Sequence, residues 1–159
     1  MQAVLVTVQT GLPFVWLGLV LGISFVEAPL KFRAPGVTRA LGLGIGRIVF
    51  RALNRVEMGC AMLLWVVPAV AVLLEPVATV GPSPLVSARV MIFQVLVSVV
   101  LLAQVAWLRP ALDARAQRWQ AEDPPPPSRL HLWYVLLETL KVMLLVALGA
   151  VLVIGGRGA

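Results

Sequence analysis

Residues 130–154 read LHLWYVLLETLKVMLLVALGAVLVI, and the reading of this stretch decides the fold. A transmembrane helix needs about 20 mainly apolar residues, and the stretch is long enough to cross a bilayer. It is not purely apolar. His131, Tyr134, Glu138 and Lys141 follow one another at separations of three, four and three residues, which puts them on one face of a helix. A charge at mid-span costs about 2.5–3.5 kcal/mol on insertion scales. Glu138 and Lys141 are therefore expected to face other helices, and at i and i+3 they can pair with each other. Trp133 and Tyr134 suit the interfacial belt.

Three more stretches of the same kind, at about 4–30, 56–80 and 85–108, fill most of the remaining chain. The sequence predicts an all-α protein: an integral membrane four-helix bundle formed by residues 1–159 as one domain. Composition agrees. Charged residues make up 13% of the chain and mean hydropathy is +0.98, against about 25% charged in a soluble domain. A surface this apolar has to be covered by lipid or by partner subunits. The N-terminus lacks a basic segment ahead of the first apolar stretch, and that stretch is long for a cleaved leader. It is expected to stay as a signal anchor.

The loops predict orientation. Lys31, Arg33, Arg39, Arg47, Arg51 and Arg55 lie between the first two spans, and Arg109, Arg115, Arg118 and Arg129 lie between the last two. The second loop, around Gly81-Pro82-Ser83-Pro84, is flanked only by Glu75 and Arg89, and Arg157 is the only charge beyond the last span. Basic residues collect on the cytoplasmic side, so the expected topology is N-out and C-out, in a cytoplasmic (inner) membrane. The net charge of +6 then reports topology and affinity for anionic headgroups. No groove-reading or base-stacking module accompanies it, so nucleic acid is not an expected partner.

Arg47, Arg51 and Arg55 recur every four residues. They predict a basic stripe at the headgroups on a second helix that starts near Gly46. Gly42-Leu43-Gly44-Ile45-Gly46 has glycines but lacks the preceding strand and the following acid of a nucleotide loop. Pro35-Gly36 predicts a turn after the first span. Gly18 and Gly22 form a GxxxG pair that permits close helix approach, either within the bundle, the preferred reading, or between copies. Ser87, Met91, Gln94 and Ser98 predict a mildly polar stripe facing the bundle, and Pro68 a bend in the second span. The third loop is expected to open at Arg109-Pro110 and to include an extended segment from Pro124 to Pro127.

Depth gathers the ionisable residues. Glu27, Glu57 and Glu138 all fall near the cytoplasmic ends of their spans, and Asn54 lies one turn from Glu57. The expectation is one polar cluster of Glu27, Asn54, Glu57, His131, Glu138 and Lys141 in the cytoplasmic half, below an outer half that is almost purely apolar. Enzyme chemistry finds little support. The lone Cys60 excludes a thiol pair. A single histidine excludes bis-histidine haem and leaves only a mixed His131–Met58 ligation. Ser98 has no basic partner in view. A metal site from Glu27, Glu57, Glu138 and His131 has suitable donor atoms but draws on three helices. No cofactor is expected.

Phe25-Val26-Glu27-Ala28-Pro29-Leu30-Lys31-Phe32, leading into a loop of glycine and arginine, resembles the transmembrane protein 205-like group, as do His131, Tyr134, Glu138 and Lys141. That group is a domain-of-unknown-function family of four-helix membrane proteins. The resemblance implies the same fold and no known catalytic residues; the proline-rich third loop departs from it. Two functions fit. One is an accessory or scaffold subunit that self-associates or packs with other membrane subunits. The other is a proton- or ion-coupled transporter using Glu57 and Glu138.

Overall fold

A computed structural model describes residues 1–74, 84–121, 123 and 125–156. Glu75, Gly81, Pro82, Ser83, Pro124 and Arg157, which entered the sequence reading, lie outside them, as do the last residues assigned to the second span. Four long helices are apolar enough to cross a membrane: α1 (Gln2–Arg33), α2 (Arg39–Leu74), α3 (Ala88–Trp119) and α4, which runs Leu130–Gly156. They alternate in direction. One end of the bundle carries Met1 and Gly156. The other, the basic end, carries the joins from α1 to α2 and from α3 to α4. α4 packs on α1 and α3, and α2 packs on α1 and on the basic-end half of α3.

α2 starts at Arg39, well before the expected Gly46, and the whole glycine run is helical. Thr38 caps it, accepting a hydrogen bond from the Leu41 N–H at 3.2 Å. Interior glycine costs about 1 kcal/mol against alanine, and here tertiary packing offsets it. A Cβ on Gly42 would lie 2.4 Å from the Phe32 ring, and one on Gly46 2.9 Å from Lys31 Nζ. The missing side chains are what let the end of α1 lie against α2. The join is short because Gly36 turns it, in the left-handed region at φ 79°.

α3 has no loop at Arg109-Pro110; the helix runs through it. The accommodation is a π-helical stretch, Gln104–Leu108, closed by Arg109 N–H to the Gln104 carbonyl. α1 has a matching stretch, Leu21–Glu27, closed by Ala28 N–H to the Ile23 carbonyl. Each ends two residues before a proline, Pro110 or Pro29. A helical proline has no N–H to give and its ring crowds the carbonyl four residues back. A widened turn relieves both, and such turns are a recognised cause of helix irregularity.

The core runs from Trp16 and Val20 through Leu64, Val97 and Leu101 to Leu145 and Leu148. Large apolar side chains cover the outside: Leu73 is 83% exposed and Ile154 69%. That is the distribution of a bundle whose solvent is lipid. Gly18 and Gly22 also face outward, where a Cβ would meet nothing within 4 Å. Within the bundle the pair is not used for packing, contrary to the preferred reading. Gly149 is the close approach between α1 and α4, holding the Phe14 ring where a Cβ would come within 2.7 Å.

Candidate functional site

All four helices meet at Lys141. Its side chain is 0% exposed, and Glu57 and Glu138 are 1% exposed. The ammonium donates to Glu57 Oε1 and, at 2.8 Å, to Gln104 Oε1. It lies 3.3 Å from Glu138 Oε2. Glu57 Oε1 also accepts from the Trp16 indole N–H at 3.0 Å. Thus α1 supplies Trp16, α2 Glu57, α3 Gln104 and α4 the Glu138–Lys141 pair. Trp16 stands 14 residues from Gln2 and Glu57 17 from Leu74, roughly 21 and 26 Å at 1.5 Å per residue. In a hydrocarbon layer of about 30 Å, this depth falls in the basic-end half.

A second layer follows toward the basic end. Arg109 lies 3.9 Å from Glu138 Oε1 and donates to the Tyr134 hydroxyl at 3.2 Å. That hydroxyl also shares a hydrogen bond with Ser24 Oγ at 2.9 Å. Glu138 is held by charge more than by direction: its oxygens are near two cations, yet neither has an aligned hydrogen bond among the described residues. Lys141 and Arg109 balance Glu57 and Glu138, so the group is neutral as a whole. Buried charge is tolerable only when compensated in this way.

The six residues expected to cluster divide. Glu57, Glu138 and Lys141 are together. Glu27 is not with them: its carboxylate pairs with Lys31 at 3.2 Å, one turn on. His131 is exposed and stacks on Tyr134 with centroids 6.5 Å apart. Asn54 Oδ1 is buried with no hydrogen-bond partner among the described residues. Glu27 and His131 therefore do not complete a metal site with Glu57 and Glu138, and among the described residues no three metal-ligating side chains converge. Trp16, Gln104 and Arg109 were not anticipated. Gln104 is a lone amide in an apolar run, which is the signal that was available. A buried indole N–H usually finds an acceptor. In sequence Pro110 reads as a helix end and puts Arg109 in a loop, whereas α3 continues through both.

The basic stripe is also different in detail. Arg47 and Arg51 turn toward α3, at 3.7 and 3.4 Å from Asp113 Oδ2. Arg55 is exposed and remains available to headgroups. In the span-three stripe, Gln94 is buried, Ser98 half-buried and Met91 38% exposed, so Met91 faces outward. Ser87 caps α3 instead, accepting from the Val90 N–H.

The half of the bundle toward Met1 and Gly156 contains a buried polar feature that Pro68 explains. Pro68 cannot donate to the carbonyl four residues earlier, that of Leu64. Two buried glutamines share that carbonyl: Gln9 of α1 donates at 3.2 Å and Gln94 of α3 at 2.7 Å. An unmet backbone acceptor in a bilayer costs several kcal/mol. The proline thus becomes a three-helix brace rather than a free hinge.

No family model, curated protein or solved structure matches this chain. The likeness to the transmembrane protein 205-like group therefore rests on the quoted residues alone.

Proposed function

We propose that this chain is a scaffold or accessory subunit of the cytoplasmic membrane, N-out and C-out, whose buried ion network fixes the register of its four helices. The observation that carries the reading is the closure of that network: Lys141 is enclosed by Glu57, Glu138 and Gln104, one from each of three helices, with Trp16 of the fourth on Glu57. Pairs of this kind contribute more to specificity of arrangement than to net stability. A carrier must open its site to both sides in turn. Toward the terminal end the next buried polar side chains among the described residues are Gln9 and Gln94, neither titratable and both engaged on the Leu64 carbonyl. The outward GxxxG pair, Gly18 and Gly22, leaves a face on which a second copy or another subunit can approach closely.

One observation favours transport as the second reading. The two π-helical stretches, Leu21–Glu27 and Gln104–Leu108, flank the network, and such turns recur at functional sites. Liposomes separate the two. A scaffold gives no flux under a pH gradient, and Glu138→Gln changes only stability or association. Wild-type proton flux that Glu138→Gln abolishes with the fold intact would defeat the scaffold reading. Native mass measurement in lipid reports whether the chain self-associates.

A further inference from the structure

Below the ion network, between the basic-end segments of all four helices, lies a cavity of about 430 Å³. Phe25, Ala28, Pro29, Leu43, Leu112 and Val135 give it apolar sides, Lys31, Arg47 and Arg109 give it cations, and Asp113 gives it one carboxylate, held by Arg47. Phe50 holds two of these cations against one ring, with Lys31 Nζ 5.1 Å and Arg109 Cζ 4.4 Å from its centroid. A second cavity of about 640 Å³ adjoins it, shares Phe32, Leu112 and His131, and adds Arg39 and Arg115.

The acids nearby do not use up this charge. Glu27 pairs with Lys31, Asp113 is shared by Arg47 and Arg51, and Glu57 and Glu138 are shared by Lys141 and Arg109. Five cations thus face four carboxylates, before Arg39 and Arg115 are counted. Two guanidinium N–H donors, Arg47 Nε and Arg109 Nε, lack a hydrogen bond among the described residues, although Arg47 Nε has Asp113 Oδ2 at 3.7 Å. Unmet charged donors are costly, and an anion seated between them removes the cost. Basic pockets between transmembrane helices on the cytoplasmic side hold lipid headgroups, and guanidinium groups match phosphate geometry.

We propose that the cavity between Lys31, Arg47 and Arg109 binds a phosphate-bearing anionic headgroup, with the apolar wall accepting the adjoining part of an acyl chain. This site is distinct from general attraction of the basic end for membrane, in which exposed Arg55 would serve as well as half-buried Arg109. It also stands apart from the scaffold reading, since a carrier could hold the same lipid.

The test uses the full chain in neutral detergent, titrated with short-chain phosphatidylglycerol, short-chain phosphatidylcholine or inorganic phosphate. Protection of Cys60 from thiol reagent serves as the check on folding. Saturable binding of phosphatidylglycerol over phosphatidylcholine is expected. Arg47→Gln and Lys31→Gln should each weaken it about tenfold or more, and Arg55→Gln by less than about twofold. Ala116→Leu, which fills space shared by both cavities without changing charge, should weaken it too. Binding of phosphatidylglycerol that millimolar inorganic phosphate does not displace assigns the site to lipid. Saturable binding of inorganic phosphate with no gain for the lipid assigns it to the free ion, with the anion site retained and the acyl-chain contact refuted. Equal losses in Arg47→Gln and Arg55→Gln, or equal binding of phosphatidylcholine, overturn the proposal.

Discussion

Replacing Lys141 with methionine isolates what the buried network is worth. Methionine keeps most of the length and apolar volume of the side chain and deletes only the ammonium. The residual group is then Glu57, Glu138 and Arg109, with one negative charge uncompensated. Glu57 keeps the Trp16 indole at 3.0 Å, and Glu138 keeps Arg109 at 3.9 Å. Removing one partner of a buried pair costs about 3–5 kcal/mol, since the other charge is stranded. Lys141 is fully buried, so the full figure applies without discount for solvent. The assay is built in, because Cys60 is the single cysteine and is buried. Its rate of labelling by a fluorogenic maleimide follows the opened population when opening and closing are fast. A loss of 3–5 kcal/mol corresponds to labelling roughly two to three and a half decades faster in mild detergent. The double variant Lys141→Met/Glu57→Gln restores neutrality, with Arg109 and Glu138 left as a pair. It should label more slowly than Lys141→Met alone, with a coupling of about 1–3 kcal/mol. Labelling of Lys141→Met within about tenfold of wild type, or a double variant as labile as the sum of its parts, would refute the argument.

The brace at Pro68 predicts compensation: Gln9→Leu/Gln94→Leu should cost about 1–3 kcal/mol by orphaning the Leu64 carbonyl, and adding Pro68→Ala should recover most of it, as read by thermal unfolding in detergent. Glycine positions should divide by packing. Gly42→Ala should destabilise measurably, because its Cβ would fall 2.4 Å from Phe32, whereas Gly18→Leu should leave unfolding unchanged and reduce cross-linking between copies. Orientation is tested in a Cys60→Ser background. Ser83→Cys should label from outside the cell and Gln120→Cys only after the membrane is permeabilised, and the reverse pattern would overturn the N-out, C-out assignment.

Much of this protein is determined by sequence alone, because a bilayer imposes a simple rule. Runs of apolar residues of sufficient length become helices, and the four long helices lie where the apolar stretches do. The same rule makes Glu138 and Lys141 face inward: leaving either in lipid is costly, and their i, i+3 spacing joins them whatever the other helices do. The end of α1 was legible too, since Pro35-Gly36 turns there. Tertiary structure decided the rest, for three physical reasons. Glycine and proline have no fixed meaning without neighbours. Gly42 reads as a loop residue and Gly46 as a helix start, yet α1 packs on both and α2 carries them in its interior, while Pro110 sits inside α3 because a π-helical stretch absorbs it. Helix rotation is not contained in linear spacing. A widened turn changes which face later residues occupy, so depth places Glu27 with Glu57 although its carboxylate pairs with Lys31. Finally, acceptors freed inside one helix are filled from others. Pro68 announces an orphan carbonyl at Leu64, but that Gln9 and Gln94 should meet there follows only from the packing of three helices around it.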